Sequence, residues 1–284
     1  MNNIKNVMEM TWVEINALDK EKTILFITIA PIEEHSHHLP LGTDIYEGER
    51  WRNDITFILS EKLPGFNFLY LPAFPVACAG AVGFYGNIHF KQRTVRNIVY
   101  ELLENLAAWK IKNIVIIASH ADPTHLIAVE EACSEINKKF GVCAFSPMGA
   151  IFSAQELGLN ISEPEEVKSM VKQYPNDFHA GWIETSNMLD IDCTLVKKGY
   201  ESLPDTLIEA KEMVSPEKVL AAMDKFGHLG YPRLADKKMG ALLNENAAQN
   251  ISKAVVAFVQ RNHWEKYEHH FLYKYPFLRT DFSE

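Results

Sequence analysis

Three short stretches of the chain concentrate side chains that bind cations and move protons. The first runs Pro31-Ile32-Glu33-Glu34-His35-Ser36-His37-His38-Leu39-Pro40-Leu41-Gly42-Thr43-Asp44, the second is Ser119-His120-Ala121-Asp122, and the third is Phe178-His179-Ala180-Gly181-Trp182-Ile183-Glu184-Thr185-Ser186. With His125 just past the second, they hold six of the eleven histidines (35, 37, 38, 120, 125 and 179), interleaved with carboxylates. Imidazole plus carboxylate, without thiolate, is the donor set of a zinc, manganese or iron(II) site rather than of a structural zinc knot. In extended backbone Glu33 and His35 point to the same side and reach one metal or two neighbouring ones. The Leu-Pro-Leu-Gly-Thr turn before Asp44 folds the chain back toward them.

Each group also has a plainer reading. Asp122-Pro123 is the pattern of a helix N-cap followed by proline at the first helical position, and spacing alone favours the cap over a ligand. Glu184-Thr-Ser reads equally as an ordinary helix start, and its claim rests on the nearby His179. A histidine-rich loop is often solvated, although this one directly follows a buried strand. His37, His125, His263, His269 and His270 read as surface or packing residues. Trp182 serves equally as an aromatic wall or as core.

These groups need a scaffold, and the hydrophobic pattern supplies one. Residues 23–30 form a continuous apolar, β-branched run, the mark of a strand buried on both faces. Residues 113–118 and 142–145 repeat that signal, and 68–72 and 75–78 read as short extended pieces broken by prolines. Helical spacing predicts helices over 94–110, 123–140 (ending at Gly141) and 244–261. The polar stretch 153–177 reads as a helix and loops within one domain. Alternation of strand and helix at these lengths predicts βαβ units: an α/β fold whose mostly parallel sheet is covered by helices on both sides. Ligands in such sheets collect at the carboxyl ends of strands, here just after Ala30 and Ala118.

Composition bounds the function. The 284 residues carry 28 Lys+Arg against 37 Asp+Glu, a net charge of −9, with 47% hydrophobic residues. That is a globular profile, and its acidity makes nucleic acid a poor partner. No run reaches the length of a membrane helix, and the N-terminus lacks a signal-peptide core. Four scattered cysteines without a CxxC pair read as reduced thiols, which makes cytoplasmic the expected location. The aromatic stretch 264–282 is expected to dock on the sheet or on a neighbouring subunit.

The motifs resemble those of the creatininase (creatinine amidohydrolase) family. Glu33-Glu34-His35-Ser36-His37-His38-Leu39-Pro40-Leu41-Gly42-Thr43-Asp44 is similar to its E-Q-H-G-x-H-L-P-L-x-T-D signature, and His179-Ala-Gly-Trp-Ile-Glu184-Thr-Ser matches its H-A-G-x-x-E-T-S block. Gly83-Phe-Tyr-Gly-Asn87 resembles its F-x-G-T turn, Ser119-His120-Ala-Asp its N-G-H-G-G-N, and Gly230-Tyr-Pro-Arg with Gly240 its G-x-P-x-x-A. The resemblance spans about residues 10–260. It implies a single domain over residues 1–284, a three-layer α/β/α sandwich, and a centre of two divalent ions, Zn or Mn with Fe as a third option. It implies hydrolysis of a cyclic amide or formamide of a small molecule through a bridging water, and a homo-oligomer, usually a hexamer. Carried over by position, Glu33, His35, Asp44 and His120 look like metal ligands with Asp44 bridging. The remaining ligand maps to Asp122 in creatininase itself and to Glu184 in members with H-G-G. His179 maps to the catalytic histidine. Glu34, adjacent to two of these residues, reads as a second catalytic residue that hydrogen-bonds a ligating imidazole, or equally as a solvated group, and Asn87 and Trp182 read as substrate-binding. Ser36, Asn87, Ala118-Ser119 and Ala121-Asp122 depart from the family pattern beside the centre, which leaves other small rings, cyclic polyol derivatives, or a non-catalytic metal-binding role as alternatives.

Overall fold

A computed structural model describes residues 3–80, 83–152, 161–213, 215–260 and 271–280. Five parallel strands, β1 (Ile4–Asn6), β2 (Thr23–Thr28), β3 (Asn67–Tyr70), β4 (Asn113–Ile117) and β5 (Cys143–Phe145), form one sheet in the order β1-β3-β2-β4-β5. The helices are α1 (Trp12–Ala17), α2 (Thr43–Lys62), α3 (Gln92–Ala108), α4 (Pro123–Phe140), α5 (Pro147–Phe152), α6 (Glu165–Gln173), α7 (Trp182–Asp192), α8 (Pro216–Met223) and α9 (Lys237–Val259). β2 is buried at every position because both faces are covered. Leu25 and Ile27 point into a core shared with Val95, Val99 and Leu103 of α3 and Val129 and Ile136 of α4. Ile24 and Phe26 point the other way, into a core with Ile55 and Leu59 of α2 and Ile251 and Val255 of α9. This period-two split produces the three layers.

Parallel pairing runs Ile24↔Asn113 through Thr28↔Ile117, so β2 and β4 end level with one another. From β2 the chain goes first to β3 on one side and later to β4 on the other. The gap beyond the ends of β2 and β4 is therefore the switch point of the sheet, where side chains of two loops can converge.

Several expectations need correction. Residues 75–78 are not a strand. Only Phe74 bridges Ile29, because prolines 72 and 75 break the ladder. The sequence reading missed α2, whose first turns bury Thr43, Asp44, Glu47 and Gly48, so its apolar stripe begins only at Trp51, Ile55 and Leu59. α9 begins at Lys237 rather than 244, where Asp236 accepts the Lys238 and Met239 N–H groups as N-cap. Helix α6 fills part of the polar stretch, as expected, while 153–160 lie outside the described residues. Of the aromatic C-terminal stretch, residues 264–270, 281 and 282 also lie outside them. The described part does not dock on the sheet. It lies against α3 and α4, with the Leu278 carbonyl accepting from Gln92 and Thr280 bonded to Glu131. Among the described residues no helix is long and apolar enough to cross a membrane.

Candidate metal centre

The loop leaving β2 carries Glu33, Glu34 and His35, the first turn of α2 carries Asp44, the end of β4 leads into His120, and α7 with the turn before it carries His179 and Glu184. These side chains meet at the switch point. Glu33, Asp44 and His120 place ligand atoms within 4.8 Å of one another, and so do His35, Asp44 and Glu184, and Glu33, His35 and His179. Asp44 belongs to the first two groups through different oxygens. Its Oδ1 lies 3.7 Å from His120 Nδ1, and its Oδ2 lies 3.6 Å from His35 Nε2. Glu33 Oε2 lies 3.3 Å from His120 Nδ1, and Glu184 Oε2 lies 3.7 Å from His35 Nε2.

Hydrogen bonds on the outer side of each imidazole fix which nitrogen faces inward. His35 Nδ1 donates to the Glu33 carbonyl at 3.1 Å, leaving Nε2 for the cluster. His120 Nε2 donates to the Cys78 carbonyl at 2.9 Å, leaving Nδ1. Such backbone anchors orient metal-binding histidines. Glu33 Oε2, His35 Nε2 and Asp44 Oδ2 are buried and have no hydrogen-bond partner. Buried polar atoms are rarely left so, and three of them converging without thiolate fit a cation. The Glu33, His35 and Asp44 side chains are enclosed, whereas Glu184 is 22% and His179 14% exposed, so the cluster opens on the α7 side.

The charge balance points the same way. Burial raises the Glu33 pKa against the pull of the neighbouring imidazoles. Burial also works against charge on His120 and His179, yet Glu33 and Asp44 beside the first, and Glu34, Glu33 and Glu184 beside the second, push each up to about 10. Protons there hold together carboxylates that would otherwise repel.

Asp122 stands outside all three groups. Its Oδ1 accepts from the Thr124 N–H at 2.7 Å and the His125 N–H at 3.1 Å, capping α4. Glu34 sits beside the cluster, its Oε1 3.5 Å from His179 Nε2, and that nitrogen donates to the Glu34 carbonyl at 2.8 Å. Asn87 Oδ1 accepts the Glu34 N–H at 2.5 Å, so its amide braces the loop that carries Glu33 and His35. Trp182 is fully enclosed at the start of α7.

A family model described as Creatininase, creatinine amidohydrolase, matches residues 8–255. The chain belongs to the creatininase family. The chemistry that goes with this family is hydrolysis of carbon–nitrogen bonds. No curated protein matches the chain. Among solved structures it is similar to one described as creatininase Mn (18% identity, 92% of this chain and 98% of that one, TM-score 0.66). A mutant creatininase of Zn-Zn type gives 19% identity over 92% and 98% with a TM-score of 0.65. A putative creatinine amidohydrolase from Bacteroides fragilis NCTC 9343 gives 16% identity over 92% and 98% with a TM-score of 0.67. At these identities the likeness is one of fold.

Against the creatininase motif, the structure shows what the departures do. Ser36 replaces a glycine and keeps a left-handed backbone, φ 63°. Ser119, in place of glycine, donates from Oγ to the Asp44 carbonyl at 2.6 Å, tying the end of β4 to α2. Sequence reasoning missed Glu47 and Asp177. Glu47 lies one turn beyond Asp44 on α2, a spacing that was legible only once α2 itself was seen. Its Oε1 accepts from Asn187 at 2.9 Å, and burial together with the nearby Glu184 and Asp44 pushes its pKa well up. Asp177 accepts the N–H groups of Trp182, Ile183 and Tyr231, fixing the His179 turn and the start of α7. A Cβ at Gly181 or Gly230 would lie 1.9 or 2.1 Å from its Oδ1, which is why both blocks carry glycine there.

Proposed function

We propose that Glu33, Asp44 and His120 hold one divalent ion and His35, Asp44 and Glu184 a second, and that the centre hydrolyses an amide-type C–N bond of a small molecule. The observation that carries this reading is the split of Asp44, one oxygen toward each imidazole, with orphaned donor atoms on both sides. Zinc or manganese suits the oxygen and nitrogen donors, and two similar structures are described as Mn and Zn-Zn forms. Ions bound there supply Lewis acidity, polarising a carbonyl and bringing a water's pKa toward neutrality.

The chain's own groups supply the proton traffic. Hydrolysis adds hydroxyl to the carbonyl carbon and a proton to the departing nitrogen. His179 is placed to carry that proton: Nε2–H is held by the Glu34 carbonyl and faces the Glu34 carboxylate, leaving Nδ1 to take up and release the second proton. Glu34 favours the charged imidazole between the two events. Glu184 stands in this reading as the last ligand, and Asp122 as a cap only.

The test is turnover by the metal-loaded protein across cyclic amides, formamides and cyclic polyol derivatives, with and without a chelator. Chelator-sensitive opening of a cyclic amide or release of formate is the expected result. Turnover that survives complete metal removal overturns the reading.

A further inference from the structure

We propose that His228 is a positioning residue that clamps the Glu33–His35 loop to the His179 turn through a hydrogen bond from Ser36. This rests on the reading of the cluster as a metal centre. His228 is fully buried, far in sequence from both loops, and lies outside the three histidine–carboxylate stretches. Its Nε2–H donates to the Pro204 carbonyl at 2.8 Å, an atom that can only accept. In the neutral ring, Nδ1 therefore accepts, and the Ser36 hydroxyl lies 3.2 Å away to donate. Burial lowers the His228 pKa against the pull of the Pro204 and Phe226 carbonyls, in keeping with that neutral form.

The residues on either side complete the clamp. Leu229 pairs with His179 in both directions, His179 N–H to Leu229 carbonyl at 3.1 Å and Leu229 N–H to His179 carbonyl at 2.8 Å. Gly227 passes so close to Glu34 that a Cβ would lie 2.4 Å from its Oε2. Three consecutive residues thus touch the proton-carrying pair and the ligand loop together. The loop needs holding. Ser36 sits at φ 63°, a conformation that costs a non-glycine residue energy and persists only where its surroundings impose it. Its N–H donates to Glu34 Oε2 at 2.9 Å and its hydroxyl to His228, so the strained residue is pinned at both ends. Where the family motif has glycine, this chain has a residue that trades backbone freedom for a tether.

The test uses the full chain, stripped of metal, with Mn2+ titrated against a chromophoric chelator in wild type, His228→Ala, Ser36→Ala and the double variant. Thermal melts of each metal-free protein accompany the titrations. Each single variant is expected to lose about tenfold in Mn2+ affinity, the scale of losing a group that orients ligands. The double variant should lose no more than the worse single, because one bond is broken in all three. Tyr231→Phe, which removes only the bond to the Pro175 carbonyl, is the control and should bind Mn2+ as wild type does. In wild type, imidazole 15N shifts should show the Nε2–H tautomer of His228, with Nδ1 moving in Ser36→Ala. Unchanged affinity in folded variants, or single losses that multiply in the double, overturns the clamp. If His228→Ala does not fold, Ser36→Ala alone decides: a loss of about tenfold supports the clamp and an unchanged affinity overturns it. Wild type that binds no Mn2+ and no Zn2+ overturns the proposed function instead. The clamp is then judged by hydrogen exchange over 33–36 in the metal-free protein, where faster exchange in Ser36→Ala supports it and no acceleration overturns it.

Discussion

Glu184 and Asp122 compete for one role in the sequence, and the structure gives them different work that mutation can separate. Glu184→Gln keeps an acceptor for the Ala180 N–H but removes the charge facing His35. Losing a group that only orients a ligand costs 10–100-fold in metal affinity, so removing a ligand's charge should cost at least about 100-fold. That is about 2.8 kcal/mol of binding free energy. The melting temperature of the metal-free variant should stay nearly level, since the carboxylate repels Asp44 and Glu47 but also attracts the charged His179. Asp122→Ala should do the reverse. It strips the N-cap of α4, which accepts two backbone N–H groups, at about 1 kcal/mol. For a chain of this size that lowers the melting temperature by about 2 °C, with Mn2+ affinity unchanged. Asp122→Asn should restore the cap, since Asn caps as well as Asp. Calorimetric or chelator-competition titration read beside apo-protein melts decides the matter. If Asp122→Ala and Asp122→Asn shed the metal while Glu184→Gln keeps it, the geometric assignment of the last ligand is wrong.

Three further outcomes follow from particular contacts. His120 and His179 titrate near 10 in the metal-free fold and near 6.5 when unfolded, so the stability they contribute is complete below pH 6.5 and is lost as pH rises toward 10; urea melts should show this alkaline decline in apo protein and a flatter profile with metal bound, and an alkaline limb indifferent to metal would refute it. Gly240→Ala would put a Cβ 1.8 Å from the Ser186 carbonyl oxygen, forcing α9 off α7 at roughly 1–3 kcal/mol, readable as a fall in urea midpoint with unchanged slope. Asp177→Ala leaves the Trp182, Ile183 and Tyr231 N–H groups without their acceptor and should cost about 3 kcal/mol or more, with metal affinity falling too because Glu184 and His179 flank that turn; a stability loss below about 1 kcal/mol would contradict its structural role.

The inner strands β2 and β4 were legible because buried parallel strands announce themselves as unbroken apolar runs, as at Ile24–Ile27 and Ile114–Ile117, whereas the half-buried β1 carries no such run and was missed. Helix α4 was legible to the residue, since Asp122-Pro123 and Gly141 mark its two ends chemically. Helix α2 was not. It turns its most polar side inward to deliver Asp44 and Glu47 to the centre, and an element that serves a site breaks the apolar pattern by which helices are found. The loop after β2 could be located by its histidines, and Glu33, His35, Asp44 and His120 do converge. Which carboxylate joins them was not readable, because it depends on where the turn at 177–181 sets α7. That is decided by Asp177 and two glycines whose contacts lie far apart in sequence. His228 was invisible for the same reason: a lone buried histidine gains meaning only from its neighbours in space.

The proposed hydrolysis depends on a centre of two ions divided by Asp44. The most direct measurement is anomalous diffraction from crystals of protein loaded with zinc or manganese, supported by elemental analysis in solution. Two peaks per chain are expected, one among Glu33, Asp44 and His120 and one among His35, Asp44 and Glu184, with two equivalents of metal in solution. A single peak, less than one equivalent, or an ion bound by Asp122 in place of Glu184 would contradict it.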